Sequence, residues 1–239
     1  MKTIRIKHFL MLVWLIASSL AASAGKEKTN TQHRHVASFD KISVSSGIDL
    51  YLTQGKGEKV VVEAKPDIID QIITRVENGV LNIYIEDKMN WNWEWNQSRK
   101  AYVTFDKLSE LKASAGSDIY STNAFNLQEL KLDVSSGSGI CLKEIDAQSV
   151  HVRTSSGSDA ELSGKTKILI AESSSGSDIK CGDLLAENCE VSSSSGSDAV
   201  VHATNSISAR ASSGSDIIYK GKPVRKNIDE SSGGQVKQF

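Results

Sequence analysis

Six aspartates occupy one position of a repeated motif, and carboxylates held in register must either share cations or be screened one by one. Asp49, Asp118, Asp159, Asp178, Asp198 and Asp216 each stand two residues after a glycine in the pattern Ser-x-Gly-x-Asp. If the copies stack as neighbouring strands, the carboxylates lie ~5 Å apart and repel by about 1 kcal/mol per pair even in water. Two chemistries would relieve this. Each aspartate could cap its own corner through backbone and serine donors. Alternatively, Asp118, Asp159, Asp178, Asp198 and Asp216 could bridge calcium between turns, since oxygen-only ligands suit that ion. The corner serines favour capping, so neither a metal nor any other cofactor is expected.

Trp91-Asn92-Trp93-Glu94-Trp95 places three tryptophans at a spacing of two. On an extended segment all three point to one side. Such a stripe either packs onto the fold as a lid or offers flat aromatic faces to a glycan or a protein. Trp91, Trp93 and Trp95 are the best candidate binding residues in the chain. Catalysis has little support. His151 and His202 fall at unrelated positions of the repeat, and no nucleophile elbow, metal-binding helix or phosphate loop is present. Outward charges such as Lys131, Arg153, Glu190 and Arg210 are scattered and mixed in sign, whereas a polysaccharide lyase or hydrolase needs clustered carboxylates or a basic residue in a groove. Three cysteines, Cys141, Cys181 and Cys189, allow at most one bridge. Cys181 and Cys189 fall on the inward alternation and are expected to pack in the core.

These residues are positioned by the repeat itself. Its glycines are Gly47, Gly116, Gly137, Gly157, Gly176, Gly196 and Gly214, with a degenerate copy at Gly233. From Gly116 the steps are 21, 20, 19, 20, 18 and 19 residues. Units this short cannot bury a core alone and must stack as a solenoid. Ahead of the glycines, Leu130, Leu132 and Val134, then Val150, Val152 and Thr154, alternate with polar residues such as Lys131, Asp133, His151 and Arg153. A period of two means strand with one buried face. After the glycines come Ile119, Ile140, Ala160, Ile179, Ala199 and Ile217. Each turn therefore reads strand, Ser-x-Gly bend, strand. The expected fold is all-β: a single-domain, right-handed parallel β-helix with turns of about 20 residues.

Residues 1–24 read as a signal peptide, with Lys2, Arg5 and Lys7, an apolar stretch Phe9–Leu20 and the A-x-A site Ala22-Ser23-Ala24. Its removal leaves 25 basic residues against 29 acidic ones. Such a chain has no electrostatic case for nucleic acid. No later segment is long enough and apolar enough to span a membrane as a helix. Residues 25–35 are expected to be a flexible lead, 36–239 the β-helix, 48–115 irregular turns or a cap, and 116–233 the regular repeats.

The Ser-Ser-Gly-Ser-Asp series, the N-terminal Phe39-Asp40-Lys41-Ile42-Ser43-Val44 and the late Tyr219-Lys220-Gly221-Lys222-Pro223 together resemble the auto-transporter adhesin head domain called the GIN domain, also catalogued as a domain of unknown function. The resemblance spans about Val36 to Phe239. It implies an exported bacterial protein, periplasmic, outer-membrane-associated or at the cell surface. It supplies no catalytic residues. One departure is Gly139, which stands where the repeat calls for aspartate. The function expected is that of a non-catalytic, adhesin-like binding protein whose partner is a glycan or an envelope protein. A carbohydrate-active β-helix enzyme and a structural envelope spacer are the alternatives.

Overall fold

Alternating burial along strand after strand wraps this chain into a β-solenoid of about six turns. The structure is a computed structural model that describes residues 29–86 and 98–239. Its strands are β1 (Asn30–Arg34), β2 (Lys41–Val44), β3 (Asp49–Gln54), β4 (Lys59–Ala64), β5 (Ile72–Glu77) and β6 (Val80–Ile85). They continue with β7 (Arg99–Phe105), β8 (Glu110–Ala113), β9 (Asp118–Ser121), β10 (Phe125–Val134), β11 (Gly139–Thr154) and β12 (Asp159–Ser173). The last are β13 (Asp178–Ser193), β14 (Asp198–Ala211), β15 (Asp216–Lys220), β16 (Arg225–Glu230) and β17 (Gln235–Gln238). The one helical piece among the described residues is a 3-10 turn, Ile69–Gln71.

Pairing in the regular turns is parallel and steps by one repeat, so that Val150 lies beside Leu169, Leu169 beside Cys189 and Cys189 beside Ile207. Inward residues form continuous buried columns, among them Ile119, Ile140, Ala160, Ile179, Ala199 and Ile217. Each buried Ile contributes about 1.5–3 kcal/mol. Strands β11 to β13 run to 15 or 16 residues because they bend at a second corner, where the register shifts, as between Leu142 and Ile145. Every turn thus has a first face ending at the Ser-Gly corner and a second face beginning after it.

At that corner two consecutive residues, not one, take the left-handed conformation. Ser175 and Gly176 have φ of 57° and 66°, and the same two positions are left-handed at each copy, with Ala115 in place of serine before Gly116. The serine after the glycine turns inward and is buried: Ser117, Ser138, Ser158, Ser177, Ser197 and Ser215. Ser197 Oγ accepts the Ser194 N–H at 3.1 Å and donates to Ser194 O at 2.7 Å. It also lies 2.9 Å from Ser193 Oγ and 3.2 Å from Ser173 Oγ. The hydroxyl therefore satisfies the corner carbonyl that the bend takes out of the ladder, and shares the Ser194 N–H with its ladder bond to Ser173 O.

The irregular segment builds the N-terminal end. Although 69 residues apart, the Gly47 corner stacks directly on the Gly116 corner, with Gly47 N–H donating to Ala115 O and Ile48 N–H to Ser117 Oγ. The chain between them runs outward, where β3 pairs parallel with β7 while β4 and β5 pair antiparallel with β7 and β6. The lead expected to be flexible over 25–35 instead contains β1, which pairs antiparallel with β4 over Asn30–Arg34. An otherwise open β4 edge gives that segment a partner.

Candidate binding face

The second face carries two outward columns side by side, because residues two and four positions after each corner glycine alternate outward with the buried third. The first column reads Lys100, Asp49, Asp118, Gly139, Asp159, Asp178, Asp198, Asp216 and Gln235. The carboxylates stack in register, but they do not cap their corners. That task falls to the buried serines, and the aspartates are half-buried or exposed. Their few polar contacts are with outward side chains, such as Asp178 with Lys180 at 3.9 Å, and in one case with backbone, where Asp198 Oδ1 accepts the Asp216 N–H at 3.3 Å. Gly139 leaves a gap in the column, and the Asp118 carboxylate fills it. A Cβ there would come within 2.7 Å of Asp118 Oδ1, a side-chain end that can rotate away. No group of three His, Cys, Asp or Glu among the described residues is arranged to hold a metal.

The second column begins with three tyrosines. Tyr102 stacks on Tyr51 with centroids 5.2 Å apart and planes at 19°, and Tyr51 stacks on Tyr120 at 5.4 Å and 24°. Strand β7 supplies the first ring, β3 the second and β9 the third, which is why residues far apart in sequence form one ladder. Since the ring faces cover one another, the ladder presents its edges and hydroxyls. Tyr102 OH donates to Glu63 Oε2 at 3.2 Å, and Tyr120 OH to Asp118 Oδ2 at 3.4 Å. Lys100 Nζ sits 5.9 Å from the Tyr51 ring centre. Burial, then the Asp118 and Asp49 charges, pushes the Tyr120 phenol up to about 12. Burial, then Glu63, likewise raises Tyr102. Burial and Asp118 raise the Asp49 carboxyl, with Lys100 pulling the other way. The phenols are therefore protonated donors, set beside carboxylate acceptors.

Below Tyr120 the column continues through Cys141, Glu161 and Lys180. Cys141 is half-buried, while Cys181 and Cys189 are buried, free thiols in the core. Trp91, Trp93 and Trp95 lie outside the described residues, in the segment joining β6 to β7. The tyrosine ladder was missed from sequence, yet a signal existed: Tyr51 and Tyr120 both stand four residues after a corner glycine. Tyr102 carried no such mark. On the first face an open trough of about 520 Å³ is lined by Ile168, Ile170, Asn188, Ser206, Ser208 and Arg225. His151 Nε2 lies 3.8 Å from Glu172 Oε2 there, apart from the tyrosines.

A family model described as "Putative auto-transporter adhesin, head GIN domain" matches residues 38–223. The chain belongs to this family. No curated protein matches it. A "putative adhesin" from Bacteroides fragilis NCTC 9343 superposes with a TM-score of 0.84 at 23% identity, over 89% of this chain and 98% of that one. A "putative adhesin" from Parabacteroides distasonis ATCC 8503 gives 0.72 at 18% identity, over 90% and 98%. A "putative lipid binding protein" from the same strain gives 0.70 at 18%, again over 90% and 98%. These likenesses concern the fold. The tyrosine ladder thus sits on the second face of a GIN-domain solenoid, and no helix among the described residues of this GIN domain is long and apolar enough to cross a membrane.

Proposed function

We propose that this GIN-domain protein is a non-catalytic, exported binding protein of the bacterial cell envelope, an adhesin-type module that contacts a glycan through the tyrosine stripe. One observation carries the reading. Tyr102, Tyr51 and Tyr120 form a stacked, partly exposed ladder flanked by Glu63, Asp49 and Asp118 on the second face. Tyrosine supplies large contact area at low entropic cost, and it dominates binding hot spots. Phenols that donate beside carboxylates that accept match a hydroxyl-rich ligand. The backbone ladder fixes the stripe, so little ordering is required on binding. Export rests on the signal-like residues 1–24. The Trp91, Trp93 and Trp95 segment leads directly into β7, which bears Tyr102, and we include it in the proposed contact surface.

The test is a glycan and envelope-extract binding screen of the chain lacking residues 1–24, with Tyr51→Ala, Tyr102→Ala, Trp93→Ala and Trp95→Ala beside it. Glycan binding that the tyrosine substitutions weaken supports the proposal. Binding indifferent to all four removes the site. Turnover of any polysaccharide overturns the non-catalytic reading, and binding of nothing favours a structural spacer.

A further inference from the structure

Among the described residues the last turn leaves one edge unpaired. Strand β16 pairs only with β14, and β17 only with β15, so among the described residues the outer backbone groups of both strands have no strand partner. Ile228 continues the core column of Ala209, which is 2% exposed, but is itself 40% exposed. Val224 and Phe239 are 85% and 89% exposed. Three of the six exposed large apolar residues among the described ones belong to this final turn. An unpaired edge over an uncovered core end is a template for another strand.

The sequence of β16 says which strand fits. It reads Arg225-Lys226-Asn227-Ile228-Asp229-Glu230, basic at its start and acidic at its end. Lys226, Ile228 and Glu230 align with the buried Ile207, Ala209 and Ala211, so they share the core-facing side. In an antiparallel pair, directly opposed residues lie on one face. A second copy related by a two-fold axis at Ile228 therefore sets Lys226 against Glu230 twice and Ile228 against itself. On the outer side it sets Asn227 against Asp229. Parallel pairing in register would oppose Lys226 to Lys226 and Glu230 to Glu230. The charges are already held over the core end. Lys226 Nζ donates to Gln238 Oε1 at 3.0 Å and to Tyr219 OH at 3.3 Å, while Glu230 Oε1 accepts the Val236 N–H at 2.6 Å. The ammonium keeps a third donor and the carboxylate a second oxygen for the facing copy. Core-facing charges deter strands that cannot pair them, and a second copy can.

We propose that β16 is a homodimerisation edge, through which two copies join end to end and antiparallel about Ile228. This is an isologous contact, which closes at two subunits. Sedimentation of the chain lacking residues 1–24 across its accessible concentration range tests it, with circular dichroism to check each fold. Wild type should sediment as a concentration-dependent dimer. Lys226→Glu alone and Glu230→Lys alone each oppose like charges twice, and each should weaken self-association by about tenfold or more. Mixed together, the two variants regain opposite charges at both positions and should form a heterodimer. A wild type that stays monomeric at every concentration overturns the proposal. So does a dimer that both single substitutions leave intact, or a mixture of the two variants that fails to associate.

Discussion

Two glycine-to-alanine substitutions should separate what the repeat advertises from what the packing requires. Gly176 is a motif glycine at a φ of +66°, and a Cβ built on it meets nothing within 4 Å. Its replacement by alanine costs only the left-handed backbone penalty of about 1–2 kcal/mol. Reduced freedom of the unfolded chain offsets about 0.4–1 kcal/mol of that. The net is about 1 kcal/mol, or a fall of about 2–4 °C in melting temperature for a domain of this size. Gly164 lies outside the motif, at a φ of +124°, and a Cβ there would come 2.1 Å from Ile145 O and 2.5 Å from Ile145 N. Both are backbone atoms of the adjoining turn, so β11 and β12 must separate at the second corner. Overpacking added to backbone strain makes the expected loss about 3 kcal/mol or more. Thermal unfolding followed by far-ultraviolet circular dichroism measures both. Gly164→Ala melting no lower than Gly176→Ala would refute the reasoning.

Ser197→Ala removes a hydroxyl that bridges Ser194, Ser193 and Ser173 and should cost about 1–2 kcal/mol, because Ser194 N–H keeps its bond to Ser173 O; urea melts of this variant against the outward Ser192→Ala check it. Burial, then the Asp118 charge, raises the Asp49 pKa above 3.8, so between 3.8 and the folded value the folded state holds a proton that the unfolded chain has already released. Stability from this group is accordingly lost as pH rises from 3.8 through the folded value, and Asp49→Asn should melt higher than wild type at neutral pH, with the gain gone below 3.8. Burial pushes the Cys189 thiol up to about 12 and raises Cys181 further, so a thiol reagent should label Cys141 alone in the native protein and all three cysteines after denaturation. A chelator should leave the melting temperature unchanged, since serine hydroxyls bond the corner backbone.

Much of the solenoid was legible because strand alternation and repeat period are local properties. Leu169, Cys189 and Ile207 could be placed in one inward column by counting from the glycines, and the pairing follows that count. The corner chemistry was harder. Two residues of each motif are small and polar, and only the backbone path decides that Ser177 turns in while Asp178 stays out. The N-terminal end was opaque for a different reason. Stacking of Gly47 on Gly116 depends on an excursion of 69 residues whose strands pair partly parallel and partly antiparallel, and no periodicity marks such a path. The tyrosine ladder fell into that gap: two of its rings come from the repeat and the third from the excursion.

The most direct measurement of the central claim is a calorimetric titration of wild type and Tyr51→Ala with the glycan that scores highest in the screen. Tyr51 is the middle ring, in contact with both neighbours, so its loss breaks the ladder into separate rings. At hot-spot scale the affinity should fall by roughly thirtyfold or more, while the fold is kept and the two lost ring contacts lower the melting temperature by several degrees. An unchanged Kd for a folded Tyr51→Ala protein would contradict the claim that this face is where the ligand binds.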